Sequence, residues 1–403
     1  KELNDLNDKI FEVKSECSKV LNTFRNTIDG KQVTGTEISD ILTNNPDREL
    51  RKKALMCRSQ VNQPLVDAGF IKLINLRKEY AKCYGAESFT DMALEDGDLS
   101  GEIFKDWKDE VKKALPKTLE KKAAYAEKYL GTSDLRQWDS SFLAGKINPL
   151  ENKDVDMVNF FEPMKNLYTK FGFDLGSMGI TFDVFPREHK SEWGYHFTIK
   201  AGEDSRILAN IDNKYTNFFV LLHEAGHGIH YKSVDPKDYW MNEGISGIIS
   251  EGIANLFGYM AQEEIFYGEF FSDNIDQARE QFAASKEYAK IRPLDGINAI
   301  LFDQELYKTE IKSLDDINEL NWSMAKELNG GERYEGQPPW GFRIHHTTHP
   351  IYLHNYFMGD VTCEMLKKSF CEKNSVDKIT EKPEEFGNFL KKEVIEVSGM
   401  YKY

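Results

Sequence analysis

Apolar side chains recur at Leu3, Leu6, Ile10, Val13, Cys17, Val20 and Phe24, in alternating steps of three and four that draw one stripe along a helix. Gly30 is the expected stop, because glycine readily closes a helix in the left-handed conformation. Helical patterning returns from about residue 47 to 83, with an interruption near Pro64. It returns again from about 101 to 130, where Pro116 lacks a backbone donor and predicts a kink. The N-terminal third therefore reads as helix throughout. Between Gly179 and Ile211 the pattern changes to short runs rich in β-branched and aromatic residues, at 180–185, 195–199 and 206–211. Gly202, Asp204 and Ser205 separate the last two, which predicts a small antiparallel sheet. Helical patterning resumes near Tyr215 and holds to the end. With no internal repeat and no long linker, one mainly α unit is the expected architecture.

The bulk composition narrows the classes. A chain of 403 residues, 40% hydrophobic and 12% aromatic, is ordered and large enough to carry a deep cleft. A net charge of −15 argues against the clustered basic surface that nucleic acid requires. No run of about 18 apolar residues occurs, so no membrane span is expected, and the alternating charged and apolar start does not read as a signal peptide. Five cysteines, Cys17, Cys57, Cys83, Cys363 and Cys371, show no Cys-x-x-Cys pairing. They suggest neither a disulfide framework nor a sulfur metal site, and a reducing, cytoplasmic location is expected. The start at Lys1 is compatible with a processed or trimmed N-terminus.

The histidines are segregated. His223, His227 and His230 form one cluster, and His345, His346, His349 and His354 another. The segment Leu221-Leu222-His223-Glu224-Ala225-Gly226-His227 sets two imidazoles four residues apart, on one face of a helix, where both can grip one ion. Zinc suits neutral imidazole and supplies Lewis acidity without redox chemistry. Glu224, beside the first ligand, is placed to take a proton from water. The apolar run from Phe218 to Leu222 buries this turn, so a pair of idle histidines would need partners. A catalytic zinc takes a third protein ligand and keeps a position open. Glu251, in Ile249-Ser250-Glu251-Gly252-Ile253-Ala254-Asn255, is the candidate; Glu243 is the rival and reads better as a helix cap. Asn255, one turn after Glu251, is placed either to orient a ligand histidine or simply to pack.

At this point the residues resemble a known family, the gluzincin oligopeptidases of the thimet oligopeptidase and oligopeptidase F type, with angiotensin-converting enzyme a more distant relative. Arg136-Gln137-Trp138-Asp139 is similar to the family's Arg-Pro-Trp-Asp segment, and Phe302-Asp303-Gln304-Glu305-Leu306-Tyr307 to its Phe-Glu-Leu helix. Trp340, His345 and the run from Pro350 to Gly359 are similar to its Trp, His, Pro and Tyr signature; the resemblance covers roughly residues 50–400. It implies a mainly α, multi-helix, two-lobed peptidase with a deep cleft and a small antiparallel β-sheet next to the zinc-binding helix. A helical N-terminal lobe of about residues 1–135 would be joined to a catalytic portion of about 136–403. It also implies one Zn2+ per chain and a peptide substrate, while charge and hydropathy lead to the expectation of no nucleic-acid or membrane partner. His345 and Tyr356 would hydrogen-bond the oxyanion, with His346, His349 and Tyr352 as fallbacks in so His-rich a stretch. His354 falls off the helix face shared by Tyr352 and Tyr356. A shorter N-terminal region than is usual in the family implies a reduced or rebuilt helical lid.

Several activities fit these residues. An endo-acting zinc oligopeptidase is the first reading. A carboxypeptidase or dipeptidyl carboxypeptidase of the same fold would need a cation for the substrate's terminal carboxylate, a role open to Arg343 with Tyr352 beside it. A catalytically inactive peptide-binding protein would lack the base or close the metal site with a fourth ligand, and Glu224 argues against it. Hydrolysis of a non-peptide amide uses the same groups.

Overall fold

The first apolar stripe folds as its spacing predicts. It forms α1 (Glu2–Thr23), with Leu6, Val13 and Cys17 buried along one side. A computed structural model describes residues 1–187, 190–191 and 193–400. The elements that matter most after α1 are α2 (Phe70–Tyr84), α3 (Trp107–Leu130), β1 (Thr181–Asp183), β2 (Tyr195–Lys200) and β3 (Asp204–Leu208). They are followed by α4 (Asn217–Lys232), α5 (Gly247–Gly258), α6 (Pro293–Lys308), α7 (Leu314–Asn329) and α8 (His354–Asn374). The chain is mainly helical, as expected. It divides into two compact units: Lys1–Ile147 with Glu287–His354, and Asn148–Lys286 with residues 355–400.

Gly30 does not end α1. The helix stops at Thr23, and Phe24 leaves it in an extended conformation. A hairpin of Asn26–Ile28 against Lys31–Val33 follows, with Asp29 and Gly30 at its tip at φ 50° and 80°. Asp-Gly with both residues at positive φ is the two-residue turn whose twist suits antiparallel strands, and it takes the glycine that otherwise reads as a helix stop. The N-terminal third is therefore not wholly helical. The helical stretch is interrupted near Pro64 as expected, by a 3-10 turn at Arg58–Val61 before it and a break at Ala68 and Gly69 after it; Pro64 itself sits in the first turn of the helix Asn62–Asp67, where its missing donor has no partner to lose. Helix α3 starts at Trp107 and carries Pro116 in its interior without ending there.

In the first unit, α1 packs on α2 and α6 packs on α7. The segments that carry the resemblance pin this unit from inside. Asp139, 2% exposed, receives Arg48 at 2.6 Å and Arg51 at 2.7 Å, so its buried charge is paired. The indole of Trp340 donates to Asn318 on α7. Asp303 on α6 meets His346 Nδ1 at 3.0 Å and accepts from the backbone of Ile351 at 2.6 Å.

In the second unit the strands lie in the order β1-β3-β2. Strands β2 and β3 form the expected antiparallel pair, His196 opposite Ile207, but β1 joins β3 in parallel, Phe182 opposite Ile207. The sheet is mixed because the tight turn joins only β2 to β3, while β1 reaches the far side of β3 without one. Helix α4 packs on β2, β3 and α5. It is buried continuously from Leu221 to His230, as a helix apolar on nearly every side must be. Phe218, Leu222 and Ile229 of α4 and Ile253, Leu256 and Phe257 of α5 share one core with Tyr168 and Phe171.

The closeness of α4 and α5 depends on Gly226, where a Cβ would stand 2.8 Å from Ala254 Cα. Backbone cannot yield as a flexible side chain does. Gly226→Ala is therefore expected to lower stability by about 1–3 kcal/mol through overpacking. Thermal unfolding measures this, and an unchanged midpoint would mean that the two helices have slack.

Candidate metal centre

Helix periodicity does what the spacing requires: His223 and His227 project from adjacent turns of α4. Helix α5 is capped by Ser246, whose hydroxyl accepts from Ile248 N at 3.2 Å, and it carries Glu251 back to them. Glu251 Oε2 lies 3.4 Å from His223 Nε2 and 3.6 Å from His227 Nε2. One donor atom from each of the three residues lies within 4.8 Å of the others, and all three residues are buried. Among the described residues this is the group of three that could hold a metal ion. The rival Glu243 ends the short helix Tyr239–Glu243 and is exposed; the cap of α5 is Ser246, not Glu243.

Two imidazole nitrogens and a carboxylate oxygen are a zinc-type donor set, and three protein ligands leave a position open. The electrostatics are those of a charged group taken out of water. Burial would raise the Glu251 carboxyl, but the two imidazoles outweigh it and hold it far below its usual range. Burial lowers His223, yet hydrogen bonding to Glu251, the charges of Glu224 and Glu251, and Asn255 together leave it above its usual range. Glu224 is pushed up by burial, only partly offset by the two histidines. A Cβ at Gly194, just before β2, would come within 3.0 Å of Glu224 Oε1, so the approach to the strand runs close over this carboxylate.

The surroundings orient the histidines. His227 Nδ1 is 2.9 Å from the Ser250 hydroxyl, which turns Nε2 toward Glu251. The ring of His196 stacks on His227 at 5.8 Å, with its Nε2 2.6 Å from Ser205 Oγ. Burial first, then His227 and His230, pulls His196 down to about 3, so it is neutral. Asn255 donates from Nδ2 to Asp360 Oδ1 at 2.9 Å and to the Tyr356 carbonyl at 3.3 Å, which ties the first turns of α8 to α5. Sequence reasoning missed Ser250, His196, Gly194 and Asp360. Ser250 had a signal in its position next to Glu251, while the other three are brought in by strands and by a distant helix.

His345, His346, His349, Tyr352 and Arg343 belong to the first unit. There His345 stacks on Tyr352 at 6.4 Å with 16° between the planes, and burial, then Arg343, lowers it to about 3. His346 is a core group, 3% exposed and paired with Asp303. His349 is exposed, its Nδ1 2.8 Å from Thr348 Oγ1. Arg343 lies over the ring of Phe342 at 6.0 Å. His354 is buried with its ring edge against Phe104; it opens α8, and Tyr352 lies before that helix, so Tyr352 and Tyr356 do not share the helix face expected of them.

Residues 41–170 match the model of peptidase family M3. No curated protein sequence matches the chain. Among solved structures, PZ peptidase A with an inhibitor superposes with a TM-score of 0.78 at 16% identity, covering 100% of this chain and 72% of that one. A protein assigned as an oligoendopeptidase F gives 0.75 at 15% identity, over 99% of this chain and 71% of that one. Another so assigned, from Bacillus anthracis, gives 0.73 at 15% identity, over 100% and 70%. At these identities the structural likenesses establish the fold. Among the described residues, no helix is long and apolar enough to cross a membrane.

Proposed function

We propose that this chain, a peptidase of family M3 by its match over residues 41–170 and by its fold, hydrolyses oligopeptides with one zinc ion held by His223, His227 and Glu251. The observation that carries the reading is the buried His-His-Glu group with a further carboxylate, Glu224, on the same turn of α4. Zinc held there would polarise the scissile carbonyl and make the attacking water acidic enough to lose its proton near neutrality. Glu224 accepts that proton and passes it to the leaving amine, and its burial favours the protonated form it must briefly take. Tyr356, whose backbone carbonyl accepts from Asn255, is assigned a hydroxyl donor's role at the oxyanion on the resemblance. His345 is assigned to the same oxyanion on the resemblance alone.

The substrate backbone has a candidate partner in β2. Among the described residues, strand β3 is paired on both sides and β2 on one, which leaves β2 an edge that an extended peptide could extend as a further strand. Phe197 and Ile199 stand exposed on β2, and Gly194 at its start lies beside Glu224.

Mass-spectrometric mapping of a peptide library of graded lengths, with and without a chelator, tests the proposal. Cleavage should vanish with chelation and return with zinc. Turnover indifferent to chelation would overturn the metal chemistry, and binding without turnover would favour a silent peptide-binding protein. Tyr356→Phe should keep its zinc and lower kcat on the order of 10²–10³, the cost of one oxyanion donor. Loss of metal instead would place Tyr356 in the scaffold.

A further inference from the structure

The first unit, which does not carry the ligand triad, contains a cavity of about 720 Å³. That volume lies in the range of sites for small organic molecules. Its walls are the end of α2, the helix Phe89–Asp96, the start of α3 and the last turns of α6.

Two of the lining side chains are polar groups that the fold buries without satisfying. Thr90 and Gln304 are each 3% exposed, and among the described residues neither the Thr90 hydroxyl nor the Gln304 amide nitrogen has a hydrogen-bond partner. A buried polar group left unpaired costs stability, and folded proteins contain few of them. Here two such groups, from helices some two hundred positions apart in sequence, line one cavity.

The surrounding charges give the sign of what would satisfy them. Five carboxylates line the cavity against three ammonium groups. Each ammonium is already taken: Lys105 lies 3.5 Å from Glu102, Lys308 3.5 Å from Glu305, and Lys108 3.2 Å from Glu327. Glu87 and Glu95, both exposed, form no ion pair among the described residues. The ring of Tyr84, 61% exposed and also on the lining, is a further surface that a cation favours. The ligand therefore needs positive charge for the carboxylates and a hydrogen-bond acceptor for the amide nitrogen, which can only donate. A bare metal ion or simple amine supplies only the charge. A basic residue within a peptide supplies both, through its side chain and its carbonyl oxygen.

We propose that this cavity binds a short peptide carrying an arginine or lysine residue, with Gln304 and Thr90 engaging the peptide backbone and Glu87 and Glu95 the charged side chain. The site stands on residues that take no part in the metal chemistry, so its test does not depend on zinc.

N-acetyl-arginine amide, titrated into the full chain by calorimetry, is the first measurement, with N-acetyl-norleucine amide and N-acetyl-glutamate amide as neutral and anionic controls. The arginine compound should bind at least about 10-fold more tightly than the norleucine one, the worth of a hydrogen bond to a charged group. The glutamate compound should show no binding. Glu95→Gln should weaken arginine binding and flatten its dependence on salt.

Gln304→Met removes the unpaired amide at similar volume, and gives the sharper readout. Its thermal midpoint without ligand should equal or exceed that of the wild type, while its affinity for the arginine compound should fall about 10-fold. A residue that merely packs would not gain stability and lose binding together. Arginine binding weaker than about 10 mM, or equal affinity for all three compounds, would overturn the proposal. So would arginine binding that neither Glu95→Gln nor Gln304→Met alters, since the compound would then sit elsewhere. A lowered midpoint in Gln304→Met with unchanged binding would make that amide part of the scaffold and overturn its role as well.

Discussion

Glu224→Gln should keep a full complement of zinc and lose on the order of 10²–10⁴ in kcat, the usual contribution of a positioned general base. The change is isosteric, so the buried turn of α4 keeps its packing, and the three ligand side chains are untouched. What disappears is the ability to take a proton. The wild-type carboxyl, 7% exposed and pushed up by burial, is poised to hold one. Metal content by emission spectrometry and turnover of a cleaved library peptide together check the result. A variant with zinc and near-normal turnover would place the base elsewhere.

The same chemical change one helix away should have a different outcome. Glu251→Gln is expected to cost the protein its zinc, weakening the affinity by at least about 100-fold, the upper end of what the loss of a mere outer partner costs. The reason is geometric and electrostatic together. Glu251 Oε2 lies 3.4 Å and 3.6 Å from the two imidazole nitrogens, and its charge is the one that offsets a dication in a site only 2% exposed at this residue. A neutral amide keeps the shape and removes the charge. Dialysed Glu251→Gln should be almost metal-free and inactive, with activity returning only at zinc concentrations far above those the wild type needs. A dialysed variant that retained stoichiometric zinc would remove Glu251 from the ligand set. The contrast between the two variants matters more than either alone, since both lose activity but only one should lose metal.

The centre was partly legible because a helix is a short-range object. Two histidines four residues apart face the same way wherever that helix packs, and the apolar run before them announces its burial. The hairpin at Asp29 and Gly30 was legible too, through the Asp-Gly pair, but the long stripe of α1 made a helix stop the easier reading. The parallel pairing of β1 with β3 was not, because strand direction across a gap in sequence is set by which edge the chain reaches, and no residue pattern records that.

By itself the sequence determined a mainly helical chain, the shared face of His223 and His227, and a short list of acids that could complete their site. Only tertiary structure separates those acids, since the helix of Glu251 packs on α4 and brings it to the histidines, whereas Glu243 ends a short helix and is exposed. It also decided the return of Glu287–His354 to the first unit and the meeting of Asn255 with Asp360, 105 positions further along the chain. Periodicity reaches a few turns; whether two elements close to within a hydrogen bond depends on contacts such as that of Gly226 with Ala254, which exist only once both helices are packed.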